Sequence, residues 1–146
     1  MGASGWNHVT EYLGDPESSL QALRRQVLAS GDYLWDDEND YPAPRPASLA
    51  ELDEIRRDDD FWEVGTHSVL DVDRVVPMGP DQEAAVQQLD PEDAELAFGT
   101  TTPTRETFEL AELDVLPWGE RWSGRYQVIY DGGRPTHIAF WGSSGD

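Results

Sequence analysis

Cysteine is absent from the 146 residues, which excludes a disulfide framework, a thiolate metal site and a thiol nucleophile. Lysine is absent as well: all ten basic residues are arginine, against 30 acidic ones, for a net charge of −20. Such a chain has no basic patch to displace counterions from a polyanion, so direct nucleic-acid binding is not expected, and an anionic membrane is disfavoured for the same reason. No apolar run approaches the roughly 20 residues needed to span a bilayer. The opening MGASGWNHV has no basic stretch followed by an apolar core, so no secretion signal is expected and the cytoplasm is the expected compartment. Histidine is scarce, with only His8, His67 and His137.

What the chain does contain is aromatic and acidic. Six Trp, five Tyr and four Phe supply anchors for a core, and the low mean hydropathy of −0.63 reflects the acidic residues rather than a lack of apolar ones. At this length, residues 1–146 are expected to form a single acidic domain that needs no staples. The acidity has two readings. It is either a general adaptation to solubility or high salt, or it is aimed at a basic partner whose association it would steer.

Residues 61–76, FWEVGTHSVLDVDRVV, form the most β-branched segment. Alternation predicts a central or next-to-edge strand here, with Leu70, Val72 and Val76 on the core face and Val69, Asp71, Asp73 and Val75 on the other. Pro77 would end it. Thr66, His67, Ser68 and Asp71 form either a small catalytic or metal-binding group or a turn at Gly65 whose polar side chains satisfy nearby backbone groups. The second reading is preferred, because the spacing matches no nucleophile–base or HExxH pattern.

Around this segment the chain reads as follows. Residues 6–12 alternate as a strand. Asp15 caps a helix over 16–30, with Pro16 first and Gly31 at its end. Residues 32–47 form an acidic, aromatic, proline-rich connection. Ser48 and Glu51 make a capping box for a helix over 49–57. Asp58, Asp59 and Asp60 follow, where a helix C-terminus would prefer cations. A weak helix is predicted over 82–89, a helix from Asp90 to Phe98, and another over 104–112. Two alternating runs, 122–130 and 135–141, joined by Asp-Gly-Gly-Arg, predict a C-terminal β-hairpin. The expected class is α+β, with an antiparallel or mixed sheet of about four strands and helices on one face.

Two sets of residues are candidates for function. In the first, Trp35, Asp36, Asp37, Glu38, Asp40 and Tyr41, with Asp58, Asp59 and Asp60 beside them, would form a partner-binding surface, because Trp and Tyr anchor interfaces and carboxylates complement a cationic cleft. In the second, His67 and Asp71, joined by His8 and His137, would make a ligand or metal site. No cofactor, resident metal or catalytic residue is expected. The preferred function is a small inhibitor, of the immunity or antitoxin type, that neutralises a basic protein such as a toxin enzyme. The alternatives are an accessory domain, or a small-ligand or metal-binding domain centred on His67 and Asp71.

Three strings taken together, MGASGW at 1–6, GTHSVLD at 65–71 and FWGSSGD at 140–146, resemble a group of small, acidic, uncharacterised actinobacterial proteins. The resemblance implies one intact domain in a bacterial cytoplasm. It implies no activity and carries over no catalytic residue.

Overall fold

The computed structural model describes residues 5–112 and 116–144. Its frame is a mixed five-stranded sheet in the order β1-β5-β4-β3-β2, made of β1 (Gly5–Glu11), β2 (Arg74–Val75), β3 (Ala85–Gln88), β4 (Ser123–Asp131) and β5 (Arg134–Ser143). β5 lies antiparallel between β1 and β4, whereas β4, β3 and β2 run parallel. Among the described residues, four α-helices accompany the sheet: α1 (Pro16–Ser30), α2 (Leu49–Ile55), α3 (Pro91–Phe98) and α4 (Arg105–Leu110). The α+β class and mixed sheet are those expected from the sequence, with five strands rather than four.

Helix α1 forms where its caps and apolar spacing specify it. The Asp15 carboxylate accepts from the Ser18 amide at 2.8 Å, and Gly31 ends the helix in the left-handed conformation. Its Leu20, Leu23 and Val27 are buried, each gaining roughly 1.5–3 kcal/mol over exposure. In the β4–β5 hairpin, Gly132 and Gly133 both have positive φ, as a two-residue turn that matches the strand twist requires.

The helices cover both faces of the sheet, not one. On one face α1 and α2 pack with Trp6, Val86, Tyr126, Ile138 and Phe140. On the other, α3 and α4 place Ala94, Phe98 and Phe108 against Ile129, Ala139 and Trp141. The crossover that returns the chain from β3 to the parallel β4 contains α3 and α4, and these two helices cover the second face.

Two further expectations fail. The strand foreseen within 61–76 shrinks to Arg74–Val75 at the sheet edge, and Val69–Asp71 is a turn of 3₁₀ helix. Val69, Leu70, Asp71 and Val72 are all buried, with no two-residue alternation. The branched side chains there signal burial, and the Ser68 hydroxyl, accepting from the Leu70 amide at 3.1 Å, caps a helical turn instead of leaving a ladder. Residues 82–89 are not a helix either: Ala85–Gln88 is β3, inside the sheet, because pairing with β2 and β4 overrides the helical preference of Ala and Gln. The helices expected over 49–57 and 104–112 end at Ile55 and Leu110. Among the described residues, no helix is long and apolar enough to cross a membrane.

Candidate functional site

The acidic loop is folded onto the core. The Trp35 indole donates to the Ala43 carbonyl at 2.9 Å, meets Tyr33 edge-on at 6.1 Å, and lies 6.4 Å from the Phe61 ring. The Tyr41 amide returns to the Asp36 carbonyl at 3.1 Å, and the Asp36 carboxylate accepts from the Asn39 amide at the same distance. These bonds close the exposed stretch Asp36, Asp37, Glu38, Asn39 and Asp40 into a hydrogen-bonded turn. The Leu34 amide donates to the Thr66 carbonyl at 3.0 Å, which ties the loop to the GTHS segment.

Asp58, Asp59 and Asp60 do not suffer the unfavourable placement at a helix C-terminus that their position in the sequence suggests. Asp58 caps the next element, a 3₁₀ helix over Asp59–Glu63, by accepting from the Asp60 amide at 2.9 Å. The run therefore stands at a helix start, where negative charge is favoured. That helix turns Asp60 and Phe61 toward Trp35 and Tyr41.

Between the two segments is a cleft of about 350 Å³. Leu34, Pro42, Phe61 and Val64 form its apolar walls, and Trp35 and Tyr41 form its aromatic side. Asp36 and Asp60 also line it. Leu34, Tyr41 and Val64 are 46%, 37% and 40% exposed, three of the seven large apolar side chains that the described surface leaves open. The Tyr41 hydroxyl donates to Glu63 at 3.1 Å. Desolvation, that hydrogen bond and the charges of Asp60 and Glu63 push the Tyr41 phenol up to about 12.

Of the nine residues assigned to a partner surface, the structure brings Trp35, Asp36, Tyr41 and Asp60 together around this cleft. Glu38, Asp40, Asp58 and Asp59 are exposed on the two segments that border it. Asp37 is engaged within the chain: Arg45 forks onto its two oxygens at 2.8 and 3.0 Å while lying 4.5 Å over the Tyr33 ring. This hydrogen bonding holds the Asp37 carboxyl below its ordinary range. Leu34, Phe61, Glu63 and Val64 were missed at the sequence level, since nothing local marks a side chain as facing a loop more than twenty residues away.

The second candidate set does not assemble. His8 shares the α1 face of the sheet with Trp6 and Phe140, whereas His137 alternates with Ala139 and Trp141 on the opposite face, so the sheet separates them. Among the described residues, no group of three metal-ligating side chains converges.

Asp71 instead is a structural node. One carboxylate oxygen accepts from the Thr66 amide at 2.7 Å and the Thr66 hydroxyl at 2.8 Å; the other accepts from the Ser144 hydroxyl at 2.9 Å. Because the Thr66 proton goes to Asp71, the 2.8 Å contact between the two hydroxyls must be donated by Ser68, which in turn accepts from the Leu70 amide. Arg56 donates to the Asp71 carbonyl at 2.9 Å and pairs with Asp73 at 2.9 Å, its guanidinium 5.1 Å from the Trp62 ring and 5.8 Å from that of Phe61. Burial raises the Asp71 carboxyl, and the three hydrogen bonds oppose that rise. Thr66, Ser68 and Asp71 thus satisfy local backbone and one distant hydroxyl.

No family model, no curated protein and no solved structure matches this chain.

Proposed function

We propose that the protein is a binding protein of the inhibitor type, immunity- or antitoxin-like, that neutralises a basic protein partner such as a toxin enzyme. The observation that supports this reading most is the cleft where Trp35 and Tyr41 meet Asp36 and Asp60, bordered by Glu38, Asp40, Asp58 and Asp59. Interfaces draw their affinity from aromatic anchors and their association rate from complementary charge. Here the anchors are docked and the loop is hydrogen-bonded before any partner arrives, so less ordering entropy opposes association.

The test is affinity capture of the tagged protein from its native host lysate at low and high salt, followed by capture with a charge-reversed Asp36→Lys, Asp40→Lys, Asp60→Lys variant. The expected result is one basic protein retained at low salt, weakened at high salt and lost by the folded variant, whose own activity the wild-type chain suppresses. A captured protein that ignores the three substitutions would reject this surface as the interface. Capture of no basic protein would favour an accessory role.

A further inference from the structure

We infer that the cleft between the acidic loop and the 3₁₀ helix is a receptor for one arginine side chain of the partner, its guanidinium at Asp36 and Asp60 and its methylenes along Leu34 and Val64. The assignment rests on the protein-binding reading above and names the chemistry of the contact.

The protein shows twice how it holds an arginine. Arg45 stacks on the Tyr33 ring at 4.5 Å and forks onto Asp37. Arg56 lies 5.1 Å from the Trp62 ring and pairs with Asp73. Each site combines an aromatic side chain with a carboxylate, the pairing that suits a planar, weakly hydrated cation. The cleft repeats that combination, with Trp35 and Tyr41 for the aromatic part and Asp36 and Asp60 for the carboxylates, but its lining includes no arginine among the described residues. The cleft is open to solvent, its apolar walls stand beside carboxylates, and its volume of about 350 Å³, at the small end for ligand pockets, is large enough to admit an arginine side chain. At the cleft wall, desolvation, the hydrogen bond to Glu63 and then the charges of Asp60 and Glu63 hold the Tyr41 phenol protonated to about 12. A lysine ammonium, compact and strongly hydrated, would lose more water on entering these walls.

The probe is N-acetyl-arginine methylamide, compared with its neutral isostere N-acetyl-citrulline methylamide, followed by ¹H–¹⁵N NMR of the full-length protein. The Trp35 indole N–H, bonded to the Ala43 carbonyl at 2.9 Å, is the reporter. The arginine probe should shift it saturably at millimolar concentration, with the citrulline probe about tenfold weaker, as loss of charge-assisted hydrogen bonds implies. Asp60→Asn, at an exposed position, should weaken the arginine probe while preserving the rest of the spectrum, and Val64→Phe should fill the cleft and block it. Equal responses to the two probes, or none to either, would overturn the assignment. A cleft that takes the arginine probe in a protein that captures no basic partner would stand while the inhibitor reading fell. A captured partner without an arginine response would remove the cleft assignment alone.

Discussion

The hydroxyl of Ser144 donates to the buried carboxylate of Asp71 at 2.9 Å, closing a contact between residues 73 apart in the chain. It joins the exit of β5 to the 3₁₀ turn Val69–Asp71 and gives the second oxygen of Asp71 a donor of its own. Asp71→Ala would strand the Thr66 amide, the Thr66 hydroxyl and the Ser144 hydroxyl without their acceptor, at a cost of about 3 kcal/mol or more. Ser144→Ala removes a single donor and should cost about 1–2 kcal/mol. Urea unfolding of the two variants checks the order; a milder Asp71→Ala would show that the node is not what holds these segments.

Gly65 and Gly132 offer a second comparison. Both have positive φ, but a Cβ at Gly65 would come within 2.5 Å of the Trp122 ring, whereas one at Gly132 meets nothing within 4 Å. Gly132→Ala should therefore cost about 1 kcal/mol, the left-handed penalty alone, and Gly65→Ala about 2 kcal/mol or more. Thermal melts of the pair suffice to rank them.

Burial by itself would raise the Asp73 carboxyl, but Arg56 and Arg74 outweigh it and hold the group below its ordinary value of 3.8. A depressed folded-state value means that the unfolded chain binds the proton more readily. The stabilisation is thus complete above pH 3.8 and is lost as pH falls toward the depressed value. Asp73→Asn should flatten this part of the acid limb of a stability–pH curve. An unchanged slope below pH 3.8 would show that the pair with Arg56 contributes nothing there.

Tyr41 should titrate only near pH 12, since desolvation, the hydrogen bond to Glu63 and the neighbouring carboxylates all favour its neutral form. Glu63→Gln and Asp60→Asn should each move the transition back toward the ordinary value of 10. Titration of ¹³Cζ-labelled tyrosine resolves it from the four other tyrosines; a Tyr41 curve indifferent to both substitutions would mean that desolvation alone sets it.

Interactions between near neighbours were readable in advance. Asp15, Pro16 and Gly31 delimit α1 because caps act within one turn, and Gly132-Gly133 defines the hairpin because few residues accept two successive positive φ angles. The acidic, aromatic loop and the Asp58, Asp59, Asp60 run stood out by composition. What composition did not disclose was that the run caps a second helix and turns Asp60 and Phe61 to face Trp35 and Tyr41.

The sequence by itself determined the acidic character, the capped helices α1 and α3, the β4–β5 hairpin and the α+β class, all consequences of local geometry or bulk charge. Only the tertiary structure decided that Ala85–Gln88 is a strand, that Val69–Asp71 is a turn, that helices cover both faces, and that His8 and His137 lie on opposite sides. Partners far along the chain take part: β4 pairs with Ala85, and Ser144 holds Asp71 while Ser68 caps the turn locally. A run of apolar residues states that it will be buried, but whether it pairs as a strand or coils into a turn depends on which hydrogen-bonding groups the rest of the fold brings to it.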